Sequence, residues 1–363
     1  MPGLLVMLGL GGCGIGLDTD RTRGEGAAYV YGVGQGSQSI VEMKLDENSG
    51  ALTYLGSVAT GLSPGVIAVD PSQRTLVLGN GGADCSIWTF NIDPSTGLLT
   101  HQSTVSVFAP SSDNPYSIQF SPQSAFAYVV SIAGNHVGVQ FNRESNVLDF
   151  VNPAVALGSN GGAVIHPQGL ALYTSAGGSG VKAASISGKS ANPVSTLDVN
   201  TSTSLAMWSR VGVLFSLQFG SPASFVRAIS ISTANATSAS VGAAINYPTD
   251  TEFIHVFENG PYLLSIDGSG PVRSLRSFTL GAPPNYAGTQ LSSVSVSYPA
   301  MGSPDFLVDQ TTGFIFTSEV ITHQVQVFRI SDSGSLSNVP GYPRVFPNLS
   351  VPRIFAIARP RLP

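Results

Sequence analysis

Few side chains in this chain could perform acid–base or nucleophilic chemistry. The 363 residues include 5 His, 2 Cys, 21 Asp and Glu, and 16 Lys and Arg. His136 and His323 stand at positions that an internal repeat makes equivalent, together with Gln38 and Cys85. A metal site normally needs three or four ligands, so two histidines do not make one. We predict no metal site and no cofactor, and we interpret both histidines as exposed loop residues.

The sequence offers no common catalytic or phosphate-binding motif in its usual setting. The G-x-S-x-G spacing at 61–65 (GLSPG) leads into a predicted strand of the repeat rather than forming an elbow between a strand and a helix, and no Ser-His-acid set can be singled out. The glycine-rich segments 79–82 and 177–180 lack the Lys and the following helix of a phosphate loop. Trp88 and Trp208 fall inside strand patterns, which favours packing over ligand stacking. His166 precedes Pro167 in a predicted turn, which favours a structural role.

Composition excludes several classes of protein. Hydrophobic residues make up 42% of the chain and charged residues only 10%, whereas about 25% is usual for charged residues in soluble domains. This balance excludes a disordered chain and makes a coiled coil improbable. The net charge of −5 argues against a nucleic-acid-binding face.

The N-terminal segment is typical of an exported bacterial protein. The apolar run 4–10 is far shorter than the ~20 residues that span a bilayer, and Gly11, Gly12 and Cys13 follow it. We predict a lipoprotein signal over 1–13, lipidation of Cys13 and a flexible tether over 14–26. The protein would lie at the cell envelope or outside the cell, attached to the membrane only by lipid. An ordinary secretory signal or a disordered N-terminus remains the alternative.

A repeat of forty to fifty residues dominates the rest of the chain. Segment 63–71 (SPGVIAVDP) returns as 114–122 (NPYSIQFSP) and 303–309 (SPDFLVD), each alternating in the manner of a strand. Two more strands, a turn such as 93–99 (DPSTGLL) and a fourth strand follow. Four strands per repeat of this length indicate a β-propeller.

The ends of the repeat region complement each other. Residues 27–55 carry only the later strands of a repeat, and residues 351–357 carry only a first strand. We predict an all-β fold over 27–360: one propeller with seven blades of four antiparallel strands, closed by the N- and C-terminal strands in one blade. An eight-bladed ring would need two more strands than the sequence offers.

The end of the propeller where first strands begin and second strands end usually forms the functional surface, and we call it the funnel end. The predicted ligand-binding residues there are Asn80, Asp84, Asn114, Asp250, Asp267, Asp305, Glu319 and His323. The candidates for catalysis are His136, Glu252 and Arg353. We interpret Arg353 beside Asp305 and Glu319 as an ion pair, with anion binding as the alternative. Cys85 is interpreted as an inert, buried or half-buried thiol.

The quoted repeat, the His166–Gly169 turn and the D-x-x-T-G-x-L turn resemble those of the lactonase-family seven-bladed propellers, which include 6-phosphogluconolactonase-like proteins. The resemblance implies that fold and suggests lactone chemistry. A His that often follows the leading Pro in relatives corresponds to Tyr116 here. Further Arg, His and Glu positions of relatives correspond to Gly161, Gly162 and Gly177.

Opening a lactone needs a donor for the oxyanion and a base that activates water. With those family residues replaced, we expect an exported monomeric propeller that binds a small molecule or an envelope protein, rather than an enzyme. Two alternatives stay open. One is a lactone hydrolase or isomerase with a shifted residue set, and the other is a surface adhesin.

Overall fold

The computed structural model describes residues 27–361. Within that range it leaves out 84, 109–113, 123–125, 134, 143–146, 151–154, 157–161, 177, 189, 199, 201, 219–223, 233–234, 247–250, 268–271, 282–285, 287 and 298–305. The described residues form strands and turns without a helix. Accordingly, none of them belongs to a helix that could cross a membrane.

The described strands hydrogen-bond into seven antiparallel sheets, which we number as blades in chain order. Blade 1 contains β1 (Ala28–Gly34), β2 (Ser39–Leu45), β3 (Leu52–Ala59) and β30 (Pro352–Ala358). Blade 2 contains β4 (Pro64–Val69), β5 (Thr75–Asn80), β6 (Ser86–Ile92) and β7 (Leu99–Ser106). Blade 3 contains β8 (Pro115–Phe120), β9 (Phe126–Ser131), β10 (Asn135–Asn142), β11 (Val147–Phe150) and β12 (Val155–Ala156).

The remaining four blades follow in the same way. Blade 4 contains β13 (Ala163–Ile165), β14 (Ala171–Ser175), β15 (Val181–Ser187) and β16 (Ser190–Asp198). Blade 5 contains β17 (Ser204–Trp208), β18 (Val213–Gln218), β19 (Phe225–Ile231) and β20 (Ala239–Asn246). Blade 6 contains β21 (Thr251–Phe257), β22 (Tyr262–Asp267), β23 (Val272–Thr279) and β24 (Gln290–Ser297). Blade 7 contains β25 (Phe306–Val308), β26 (Phe314–Glu319), β27 (Gln324–Ile330), β28 (Leu336–Asn338) and β29 (Arg344–Val345).

The prediction of an all-β propeller is confirmed, with one correction to the strand count. Blades 3 and 7 have a fifth short strand, because β12 and β29 pair with the third strands β10 and β27 beside the outer strand. In blade 1 the last strand, β30, pairs with the first, β1, with Tyr29 opposite Ala358 and Gly32 opposite Phe355. The N- and C-terminal strands thus lie in one sheet, as the split repeat predicts.

Apolar side chains fill the interfaces between neighbouring blades. Seven buried clusters occur among the described residues, and each joins two consecutive blades. In one of them Phe314 and Phe316 of blade 7 pack with Val30 and Val41 of blade 1. Strand residues alternate between the two faces of a sheet, so each second strand contributes to the cores on both of its sides.

The turns between third and fourth strands hold a glycine that the neighbouring blade requires. Gly50, Gly97 and Gly334 all have positive φ, as the turn motif predicts. An aromatic ring from the preceding blade lies against each: Phe314 at Gly50, Tyr29 at Gly97 and Tyr262 at Gly334. These turns therefore both reverse the chain and dock the preceding blade.

Candidate functional site

Strand register defines two sets of equivalent positions at the funnel end. In blades 1, 2, 3 and 6 the last residue of the second strand lies opposite the start of the inner strand, as in Pro64 with Asn80, Pro115 with Ser131 and Thr251 with Asp267. We call the last residue of a second strand the rim position, and Gln218 and Glu319 occupy it in blades 5 and 7. The residue after the start of the inner strand we call the entrance position. Tyr116, Glu252 and Arg353 occupy it in blades 3, 6 and 1.

Arg353 is held by an amide rather than by an acid. Its Nε donates to Oε1 of Gln35 at 2.8 Å, within the loop between β1 and β2. Glu319, which is almost fully buried, accepts the backbone N–H of Ile321 at 2.8 Å and that of Thr322. The predicted ion pair between Arg353 and Glu319 is wrong, because this carboxylate turns back to cap its own loop. Asp305 lies outside the described residues.

The predicted equivalence of His136 and His323 is also wrong. Gln38, Cys85 and His323 each lie directly before a third strand and share a left-handed backbone, with φ of 49°, 38° and 58°. His136 instead lies inside β10, opposite Val130 and Val155. The loop before β10 is short, so the strand already begins at Asn135. His323 is half-buried, and the side chain of His136 lies outside the described set.

Two predicted asparagines organise the loops of blades 2 and 3. Asn80 is fully buried, with Nδ2 3.5 Å from Oγ of Ser86, while its Oδ1 has no partner among the described residues. Asn114 Oδ1 accepts the N–H of Gly82 at 3.0 Å and lies 3.8 Å from Sγ of Cys85. Cys85 is fully buried, in agreement with its interpretation as an inert thiol.

The structure describes other predicted residues only in part. Cys13, Asp84 and Asp250 lie outside the described residues. Glu252 and Asp267 are placed by their strands, but not by their side chains. Tyr116 is 39% exposed at its entrance position. In the turn after β13, Nδ1 of His166 accepts the N–H of Gln168 at 3.1 Å, which fits its structural interpretation. The described part of the chain contains no cluster of metal-ligating side chains.

Sequence reasoning missed a polar cluster between blades 4 and 5. Asp198 ends β16, Gln218 occupies the rim position of blade 5, and Arg227 lies in β19. Gln218 Nε2 donates to Asp198 Oδ2 at 2.9 Å, and Arg227 Nε donates to Gln218 Oε1 at 3.3 Å. Two signals could have found it. Asp198 is the only acid between residues 151 and 248, and the repeat register makes Gln218 equivalent to Asn80, Asp267 and Glu319.

Comparison with known proteins agrees with the fold. Residues 27–149, about a third of the chain, match the family model "Lactonase, 7-bladed beta-propeller". A solved structure of a putative 6-phosphogluconolactonase from Bacteroides uniformis has a TM-score of 0.76 at 13% identity, covering 92% of this chain and 100% of that one. The periplasmic gluconolactonase of Pseudomonas aeruginosa has a TM-score of 0.71 at 16% identity, covering 91% and 99%.

No curated protein sequence matches the chain. At these identities the solved structures establish the fold alone, so the activity has to be argued from the residues of the site. The chain is thus a β-propeller that resembles the lactonase family, in sequence over residues 27–149 and in fold over most of its length.

Proposed function

We propose that this protein is an envelope propeller that binds a small polar ligand at its funnel end. The observation that carries the proposal is the pair of donors at equivalent entrance positions, the phenol of Tyr116 and the guanidinium of Arg353. Both are the second residue of an inner strand, next to the same irregularity in register, so they occupy equivalent positions at the funnel end. Such donors suit hydroxyl and carboxylate oxygens of a ligand.

Arg353 is oriented for an external partner. Gln35 engages its Nε, and within the described residues the two terminal nitrogens have no partner. A guanidinium held through Nε still offers a bidentate edge that matches a carboxylate. Because Glu319 accepts backbone N–H groups of its own loop, its carboxylate does not neutralise Arg353.

The ligand class we propose is a sugar acid or its lactone. The similar structures from Bacteroides uniformis and Pseudomonas aeruginosa are described as a putative 6-phosphogluconolactonase and a periplasmic gluconolactonase. A sugar acid combines the carboxylate that would suit Arg353 with hydroxyls that would suit Tyr116.

Lactone hydrolysis is the second candidate, favoured by the same relatives and by the family match over residues 27–149. In that case Arg353 would stabilise the oxyanion, and Glu252 or His136 would activate water. Glu252 shares the entrance position with Arg353, two blades away around the ring. Tyr116 is a poor base at neutral pH, because the ordinary pKa of a phenol is about 10.

Calorimetric titration with gluconate, combined with pH-stat assays on glucono-δ-lactone, separates the two candidates. We expect gluconate to bind, and Arg353→Ala to weaken binding at least tenfold. Arg74→Ala is the matched control, because it removes an exposed cation from a turn at the opposite end of the ring. We expect no lactone turnover above the buffer rate.

Two outcomes would contradict binding without catalysis. Lactone turnover that disappears in Glu252→Gln would establish the hydrolase instead. Equal affinity of the wild type and Arg353→Ala for gluconate would remove the entrance position from the site.

The envelope location rests on the apolar run 4–10 and on Cys13. We expect Cys13→Ser to move the protein from the membrane fraction to the soluble fraction without unfolding it. Unchanged membrane association of that variant would contradict lipidation at Cys13.

A further inference from the structure

The seam between blades 4 and 5 holds a buried carboxylate at the funnel end. The side chain of Asp198 is 3% exposed. Its Oδ1 accepts the N–H of Asn200 at 3.0 Å and Nδ2 of Asn200 at 2.6 Å, while its Oδ2 accepts Nε2 of Gln218 at 2.9 Å. Both oxygens of Asp198 therefore accept hydrogen bonds, and its charge serves to fix the groups around it.

Arg227 is the cation that faces this carboxylate. Its Nε lies 3.9 Å from Asp198 Oδ2 and donates to Gln218 Oε1 at 3.3 Å. Gln218 thus bridges the acid and the base, because its amide nitrogen donates to one and its carbonyl oxygen accepts from the other. The Arg227 side chain remains 27% exposed, and its terminal nitrogens have no partner in the described part of the chain.

The charge that the cluster presents to solvent is positive. The side chain of Arg227 is 27% exposed, whereas that of Asp198 is 3% exposed. The part of the cluster that solvent reaches is therefore the edge of the Arg227 guanidinium. An arginine that is fixed through Nε presents two parallel N–H donors, which match a carboxylate or a phosphate.

We propose that Asp198, Gln218 and Arg227 form a binding site for a small oxyanion, which we call the interblade site. Arg227 contacts the anion, and Asp198 and Gln218 are positioning residues. The interblade site is independent of Arg353, which belongs to blade 1, so the chain can hold two anionic groups separately.

The test isolates the interblade site by working in the Arg353→Ala background. Inorganic phosphate and acetate are titrated calorimetrically as separate arms, so that a phosphate site and a carboxylate site are distinguished. We expect one of these anions to bind and Arg227→Ala to weaken its binding at least fivefold. Arg210→Ala removes a cation from the opposite end of blade 5 and should leave the affinity unchanged.

A double-mutant cycle tests the positioning role. We expect Asp198→Asn to weaken anion binding when Arg227 is present and to have no further effect in Arg227→Ala. If Asp198→Asn unfolds the protein, Gln218→Ala replaces it in the cycle. If Asp198 had a purely structural role, Asp198→Asn would lower the stability of the protein, and its effect on anion binding would not depend on Arg227.

Three results would overturn the proposal. The first is that neither anion binds to the Arg353→Ala protein. The second is that Arg227→Ala binds the anion as tightly as its parent. The third is that Arg210→Ala loses as much affinity as Arg227→Ala. None of these results bears on gluconate binding at the entrance position, so the two proposals fail separately.

Discussion

Several carboxylates of this protein hold backbone N–H groups rather than cations. Glu319 caps the loop that follows β26. Glu42 is buried in β2 and accepts the N–H of Leu99 in the next blade at 2.7 Å. Burial raises the pKa of Glu42, while the bond from Leu99 works in the opposite direction. A single acidic residue thus joins two blades at an electrostatic cost.

We expect Glu42→Gln to change the pH dependence of stability. A carboxyl whose pKa is raised by folding contributes stability that is present at acidic pH and is lost as pH rises through the folded-state pKa. Glutamine keeps an oxygen that can accept the Leu99 N–H and has no charge to bury. The variant should therefore equal the wild type at acidic pH and gain stability relative to it towards neutral pH.

Urea unfolding across pH measures this difference. Asp332→Asn serves as the control, since it removes an exposed carboxyl from a turn. A difference between Glu42→Gln and the wild type that does not vary with pH would contradict the assigned cause.

At the scale of elements, the turn between the third and fourth strands is the recurring joint of the ring. In the blade 2 turn, Asp93 Oδ1 accepts the N–H of Ser95 at 2.8 Å and its hydroxyl at 2.6 Å. The Ser95 hydroxyl and the N–H of Thr96 lower the pKa of Asp93 to about 2. Tyr29 of blade 1 donates its hydroxyl to the carbonyl of Ser95 at 2.9 Å. Turn formation and blade docking therefore depend on the same few residues.

We expect Gly97→Ala to be costly for two separable reasons. Gly97 has φ of +73°, and a Cβ there would lie 2.1 Å from the Tyr29 ring. Gly212 has φ of +66° with nothing within 4 Å of such a Cβ. Gly212→Ala should cost about 1 kcal/mol of unfolding free energy from backbone strain alone, and Gly97→Ala about 3 kcal/mol, because the overpacking cost adds to it.

Chemical denaturation of both variants measures these two costs side by side. Equal costs would show that contact with Tyr29 does not require a glycine at position 97.

At the scale of the whole molecule, Arg359 joins three blades after β30 ends. Its Nη1 and Nη2 donate to Asp309 of blade 7 at 3.0 and 2.5 Å, and its Nε donates to Glu47 of blade 1 at 2.6 Å. Its backbone N–H donates to Gln73 of blade 2 at 3.1 Å. The ends of the chain are thus tied by an ion network in addition to the pairing of β30 with β1.

We expect Arg359→Ala to lower the unfolding free energy by about 3 kcal/mol, because it leaves a buried acid without its cation. Asp309 is 2% exposed in this pair, whereas Glu47 is 31% exposed. Glu47→Ala should therefore cost less, about 1 kcal/mol or under.

Arg74→Ala, at an exposed turn position, should stay within about 0.5 kcal/mol of the wild type. An Arg359→Ala variant as stable as Arg74→Ala would show that the network does not hold the ring together.

The fold could be predicted from the sequence because its determinants are local and repeated. Apolar residues alternate along segments such as 63–71 and 114–122, glycines mark the turns at 50, 97 and 334, and the incomplete repeats at the two ends are complementary. Each of these signals lies within a few neighbouring residues and recurs, so it can be recognised without tertiary information.

The partners of the polar side chains at the funnel end were decided only by the tertiary structure. Arg353 binds Gln35 rather than Glu319, and His136 shifts into a strand because a single loop is short. Arg227, Gln218 and Asp198 meet because two blades are adjacent. Hydrogen bonding depends on tenths of an ångström and on side-chain direction. These contacts join residues that are far apart in the chain. The periodicity of the sequence carries no information on the distances between such residues or on the directions of their side chains.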